Sequence, residues 1–362
     1  MRRKRVIRFL VGAFVAGGFV GLIAGLAFGG TDTQGLVVSP VVTDPVSTTA
    51  STQVGQDTEA KMTVELASAI GANEMGQVLV LSYGDIGTPD SDTTRSPDNF
   101  RKDLALLKSE GYYPINVSDL VAGDIDIPAG KSPVVITFDG STQGQYGIMD
   151  DGSIDPDSAV GIMQAAVDAG GWASKATFFC VTDSSAIDQP LFGQQDKSQE
   201  KLHNLEEWGY EIGSHTASNA NLKNASVDDV KRQLAQSENT LSELIGAAYS
   251  VSSLSLPFDA YPSNLNLLTN GTYNKIAYSY SAILSNGSAQ TDSPFSTKFD
   301  PLHIVRVKVV GNALQQAIDY FKKHPDLKYI SDGDPMTVSA PKSLNAQLGD
   351  MRTDLGRPIV RY

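Results

Sequence analysis

An aspartate and a histidine, each placed where an apolar run gives out into small polar residues, are the groups in this chain best placed for chemistry. Asp139 closes the run Pro133-Val134-Val135-Ile136-Thr137-Phe138 and is followed by Gly140. About seventy-five residues later His215 follows Tyr210-Glu211-Ile212-Gly213-Ser214 and leads through Thr216, Ala217 and Ser218 to Asn219. A carboxylate at such a strand end is a candidate general base. The imidazole is a candidate metal ligand, and the Asn219 amide carbonyl offers a hard, neutral one. A catalytic site of the zinc type needs about three protein ligands and an open position for water. His215 and Asn219 supply two, and if Asp139 turned to a metal no base would remain. The competing reading is that His215 and Asn219 only hydrogen-bond within their loop. Cys180 is the single cysteine, so no intramolecular disulfide forms. At the end of an apolar strand, with no base evident beside it, it is expected to pack as a small hydrophobe.

These groups require a scaffold that aligns strand ends. The run ending in Asp139 is short, continuous and β-branched, the pattern of a strand buried on both faces. Ala176-Thr177-Phe178-Phe179-Cys180, Val78 to Gly84 and Ile304 to Val309 repeat that grammar, and Tyr278 to Leu284 reads as a further strand. Amphipathic segments lie between them. Ser226 and Asp229 form a capping-box pattern before a helix to Ile245, with Val230, Leu234, Leu241 and Leu244 on one face and Gly246 ending it. A helix is expected from Asn312 to Lys323, with basic residues in its last turn. Strands alternating with helices predict an α/β barrel or a doubly wound sheet, whose carboxyl edge is where ligands bind. His203 is expected on a helix surface, His303 just before a strand and His324 at a helix end. Asp150 and Asp151 are expected in a solvated loop.

At these residues the chain resembles the NodB-type polysaccharide deacetylases. That family carries a strand ending T-F-D-D-G, a strand A-T-F-F and a loop S-H-(S/T)-x-x-H in this order, and the likeness runs from about Gly76 to about His324. The resemblance implies a distorted (β/α) barrel in which the first Asp is the general base and the second Asp with two His holds a divalent metal. It implies Asp139 as the base, Gly140 at the metal-binding Asp position, His215 as the first His and Asn219 as the second. Two of the three metal ligands are thus replaced. The family's R-x-P-(Y/F) motif stands here as Ser255-Leu256-Pro257-Phe258, so the Arg that would orient the base is Ser255. The strand that usually brings the general-acid His carries Arg306, which either pairs with Asp139 or is a solvated strand-end charge. Tyr83, Phe258 and Asp259 are the expected cleft residues. Trp172, Trp208, Tyr261 and the tyrosines of the 278–284 segment are further candidates for sugar stacking, weighed against packing between helix and sheet.

The chain has 362 residues and a net charge of −13. Residues 1–30 open with a basic tip, Met1-Arg2-Arg3-Lys4-Arg5, before an uncharged apolar span from Phe9 to Gly29, long enough to cross a bilayer. Basic residues ahead of the span predict a single-pass anchor with the remainder outside; a cleaved signal peptide is the alternative. Residues 31–75 read as an extracellular linker and short helix, 76–331 as the deacetylase-like domain, and 332–362 as a tail with little periodicity. Beyond residue 30, 23 basic residues face 41 acidic ones. That balance disfavours nucleic acid as a partner and leaves neutral envelope glycans compatible. Three functions follow as expectations. The first is a membrane-anchored protein acting on or binding cell-envelope glycans, without the usual metal-dependent activity. The second is an active deacetylase with a rebuilt site, using a divalent metal such as zinc and compensated by Arg306 or a loop carboxylate. The third is a non-enzymatic module for envelope assembly.

Overall fold

The structure, a computed structural model, describes residues 61–362 apart from 188 and 247. The expected basic tip and apolar span, and the linker as far as residue 60, lie outside the described residues. Among those described, no helix is long and apolar enough to cross a membrane.

Parallel strands form the centre: β1 (Leu79–Tyr83), β2 (Tyr112–Ile115), β3 (Ser132–Asp139), β4 (Thr177–Cys180), β5 (Glu211–Ser214), β6 (Ser253–Ser255), β7 (Ala282–Asn286) and β8 (Ile304–Lys308). Neighbours run β1-β8-β7-β6-β5-β4-β3, and β3 pairs back onto β1, closing a seven-membered ring. The eighth strand, β2, is wedged at the base. Its residues 112–115 pair with Ser132–Val135 of β3, while β4 takes Thr137–Asp139. Because β2 and β4 share β3 between them, the barrel is splayed at its amino end and closed at its carboxyl end. This is the distorted barrel that the resemblance implies.

Alternation along the strands divides the apolar residues between two cores. Leu79, Leu81, Ile136, Phe138 and Phe178 face the helices, whereas Val80, Val135, Phe179, Leu284 and Ile304 belong to a second, interior cluster. The outer layer includes α1 (Pro97–Ser109), α2 (Ala159–Asp168), α3 (Ser198–Trp208), α4 (Val227–Ile245) and α5 (Ala313–Lys323). In α4 the Ser226 hydroxyl accepts from the Asp229 amide at 3.1 Å, and Val230, Leu234 and Leu241 are buried. In α5 the buried Leu314, Ala317, Ile318 and Phe321 give a face one helical turn apart, with Lys322 and Lys323 in the last turn.

One expectation is corrected. The segment from Tyr278 to Leu284 is not one strand. Ile276–Ser279 pairs antiparallel with Asn270–Tyr273 in an outer hairpin, and barrel strand β7 begins at Ala282. The turn at Tyr280-Ser281 carries apolar and small residues that do not announce a break. The tail beyond residue 331 packs onto the barrel. The described residues belong to one compact unit, and Val338, Ala340 and Leu348 join Val80, Val135 and Phe179 in the interior cluster. Val338–Ala340 pairs in parallel with Ile359–Arg361, and the Tyr362 hydroxyl donates to the Ala72 carbonyl at 2.9 Å. The tail closes the base of the barrel, and its apolar residues are spaced by contact with that base rather than by any repeat.

Candidate active site

Interior positions of the upper barrel are polar. Counting alternate residues on each strand places Ser82, Thr137 and Asp139, Ser255 and Arg306 inward, and their hydrogen bonds agree. Arg306 is fully buried and grips Asp139 with both arms of its guanidinium, Nη1 to Oδ1 and Nη2 to Oδ2, each at 2.8 Å. Nη1 also donates to the Thr137 hydroxyl at 3.0 Å and Nη2 to the Ser255 hydroxyl at 2.9 Å. The guanidinium carbon lies 5.7 Å from the Phe179 ring centre. That ring is held by Gly213, where an added Cβ would stand 2.5 Å from it. Of the two readings left open for Arg306, pairing with Asp139 is the one observed. The small Ser255 opens the room into which the guanidinium of β8 reaches.

Burial alone would raise the Asp139 carboxyl. The charge of Arg306, the neighbouring His215 and the hydrogen bonds outweigh it and hold the group below its ordinary value, so it is a carboxylate at neutral pH. His215 is itself buried, and burial pushes its imidazole below the ordinary value despite the pull of Asp139. Its Nδ1 lies 3.0 Å from the Ser255 carbonyl, which only accepts. The tautomer is therefore fixed with the proton on Nδ1, leaving the Nε2 lone pair as the free acceptor of the ring.

The loops that follow β3, β5 and β6 bend sharply to build the mouth. Ser141, Thr216, Asn219, Phe258 and Asp259 all adopt positive φ, between 50° and 62°, a conformation that costs a non-glycine residue of the order of 1–3 kcal/mol. Such strain concentrated at one edge marks a site whose shape is imposed by its surroundings. Together these loops and the end of β1 enclose a cleft of about 510 Å³.

The cleft brings together Asp139, His215, Asn219, Phe258 and Asp259, as the sequence places them. Tyr83 also lines the wall, but as a correction its ring is buried against Phe100 and Phe138 and its hydroxyl donates to Asp103 at 3.3 Å, so it offers nothing to a ligand. Asp259 accepts from the Asn286 amide at 2.6 Å, which ties the β6 loop to β7. Phe258 is 67% exposed and is the open aromatic surface of this rim. Trp172 is buried, donating to the Tyr112 carbonyl, and Tyr261 stacks on His303; both serve packing. Cys180 is buried, which raises its thiol well above the usual range. Asp150 and Asp151 are exposed, as expected.

Some contributors escaped the sequence. Gln145, fully buried, donates from Nε2 to the carbonyls of Asp139 and Gly84 at 2.7 and 2.9 Å and so locks the ends of β3 and β1 together. Ser82 donates to Asp139 at 3.4 Å. Lys308 and Asn286 complete the wall. A lone Gln in a loop carries no periodic signal, and Ser82 is legible only once the inward face of β1 is known.

A divalent metal, implied by the resemblance, does not fit this donor set. His215 Nε2 and the Asn219 amide are what remain, because Asp139 is held by Arg306 and Gly140 has no side chain. Among the described residues no group of three or more His, Cys, Asp or Glu is placed to hold an ion. Two donors, one neutral and weak, fall short of the three that a catalytic site requires.

The polysaccharide deacetylase family model matches residues 127–274, from before β3 to the outer hairpin. No curated protein matches the chain. Among solved structures, a polysaccharide deacetylase from Bacillus cereus is similar over 67% of this chain and 69% of its own, at 19% identity and a TM-score of 0.50. The Streptococcus pyogenes deacetylase PplD, in complex with acetate, is similar over 67% of this chain and 98% of its own, at 18% identity and the same score. Identities this low speak for the fold alone. Residues 127–274 match the polysaccharide deacetylase family and carry a domain of the NodB type, in which Asp139 and His215 stand at the barrel mouth while Gly140 and Asn219 occupy the positions where the resemblance implies the second aspartate and second histidine.

Proposed function

We propose that this protein binds cell-envelope glycans in the family's cleft without the metal-dependent hydrolysis. One observation carries the reading: Gly140 and Asn219 leave a metal short of ligands, and among the described residues no group of three or more His, Cys, Asp or Glu is placed to hold one. Asp139 stays paired with Arg306 through two contacts at 2.8 Å, so it does not turn to a metal. The strained rim and the exposed Phe258 suit a sugar face, since carbohydrates pack their apolar faces on aromatic rings and spend their hydroxyls on the polar wall. The N-terminal apolar span is read as a single-pass anchor holding the domain outside the membrane, with secretion after signal cleavage as the alternative; the acidic body makes nucleic acid an unsuitable partner. The test joins two measurements on the purified protein: metal content, and acetate release from acetylated chito-oligomers. Binding of oligomers without either supports the proposal; stoichiometric zinc, cobalt or nickel bound through His215 sinks it.

A second reading rests on the free Nε2 of His215. A neutral imidazole with its Nδ1 proton fixed on a carbonyl can accept a proton from water, and Arg306 can stabilise negative charge. It requires metal-independent acetate release that is lost in His215→Asn. Recovery of the chain with membrane partners irrespective of glycan would favour a pure assembly role over both.

A further inference from the structure

A second groove of about 400 Å³ lies beside the cleft, between the loop after β7 and helix α5. Its floor is small, with Ala313 and Ala317 of α5, and its walls are amides: Gln77, Gln290 and Gln316. Lys308 lines both this groove and the cleft, and where Asn286 ends β7 in the cleft the next residue, Gly287, already lines the groove. Gly287 is needed there, because a Cβ would stand 2.6 Å from Val305 and push the loop off β8.

The loop between the two sites holds acceptors that the protein leaves unused. Asn286 Oδ1 and Gln290 Oε1 are buried and have no hydrogen-bond donor. Buried polar atoms in folded proteins are nearly all hydrogen-bonded, so each of these acceptors calls for a donor. The far end is organised: the Tyr320 hydroxyl donates to Gln77 Oε1 at 3.3 Å and Gln77 Nε2 donates to Asp292 at 3.5 Å, which leaves one Gln77 amide hydrogen for another partner. Amides present donors and acceptors together, which matches hydroxyl and acetamido groups. One cation and no carboxylate line the groove, so a neutral ligand is favoured over a charged one.

We propose that this groove is a second glycan subsite, in which a chain with one sugar over Asp139 crosses Lys308 and lays its next neutral, N-acetylated residues along Gln290, Gln316 and Gln77. The proposal rests on the reading of the cleft as a glycan site. It is tested by calorimetric titration of the 362-residue chain in detergent with N-acetylglucosamine oligomers from dimer to hexamer. Affinity is expected to rise about tenfold from dimer to hexamer, the worth of one or two added hydrogen bonds. Gln316→Trp, at an exposed position of α5, should bind the dimer unchanged and lose the rise, and Gln290→Ala should lose part of it. A flat series, or a rise that survives Gln316→Trp, overturns the groove while dimer binding keeps the cleft reading. Absence of binding at every length overturns both.

Discussion

Arg306 meets Asp139 from a strand on the other side of β1, and its second nitrogen rests on the hydroxyl of Ser255. By the resemblance, Ser255 is where an orienting arginine is expected, on β6. The guanidinium therefore comes from β8 instead of β6 and reaches the same carboxylate, while the strand that supplies it gives up the histidine expected there. One relocation thus preserves the ion pair of the barrel mouth and removes a proton donor from it.

That exchange can be reversed on paper and in the laboratory. Arg306→Ser leaves Asp139 without its cation and should lower unfolding free energy by about 3–5 kcal/mol, the cost of breaking a buried pair. Adding Ser255→Arg returns the guanidinium along the other strand. The double variant should be more stable than Arg306→Ser alone in urea denaturation. Equal or lower stability would show that β6 no longer accommodates the group.

His215 gives the fold an acid-side dependence. Its folded value lies below the ordinary 6.5, because burial disfavours the charged ring. Below pH 6.5 the unfolded chain takes up a proton that the folded one refuses. The stability from this residue is therefore complete above 6.5 and falls as pH drops through the folded value. Asp139, also lowered, adds a loss only further down, below the usual carboxylate range. Between pH 7 and 5 the wild type should lose urea stability relative to His215→Asn; identical pH dependence in the two would remove His215 as the cause.

Much of this site could be read from the chain alone because strand ends are local. Asp139, His215 and Asn219 each follow an apolar run in register with its neighbours, so parallel pairing brings them to one edge. Arg306 was legible as a strand residue, and its pairing with Asp139 stood as one of two readings, since inward or outward facing depends on strand parity fixed only when the ring closes. Gln145 and the tail had no such handle. Gln145 acts through the carbonyls of Gly84 and Asp139, at the ends of two different strands, and Val338, Ala340 and Leu348 are buried by the splayed base that β2 creates.

Gly140 differs from a simple missing ligand. It sits at φ +105°, a backbone that side-chain-bearing residues rarely adopt, although no atom lies within 4 Å of where a Cβ would be. Gly140→Asp should therefore cost about 1–3 kcal/mol through conformation rather than crowding. The double variant Gly140→Asp, Asn219→His supplies the donors by name but not by backbone. Elemental analysis should find it without stoichiometric zinc, and a full equivalent of zinc would show that the β3 loop relaxes freely.

A final prediction concerns the base, where Glu74 is buried under the tail. Burial pushes its carboxyl up to about 8, reinforced by Asp332 and opposed by hydrogen bonds from the Ser339 and Asp332 amides and the Tyr329 hydroxyl. Because the folded value is raised, the folded chain holds a proton that the unfolded one releases. Its contribution is complete below the unfolded value of 4.5 and is lost as pH rises through about 8. This slope is opposite to that of His215, so the two offset each other below pH 6.5 and the Glu74 decline stands alone above it. Thermal midpoints should fall from pH 7 to 9 in the wild type. Glu74→Gln, which keeps the shape without the charge, should flatten that fall, and because the Ser339 amide docks the tail on this side chain, the variant should also change amide exchange at Val338–Ala340. A wild-type midpoint independent of pH over this range would place the ionisation elsewhere.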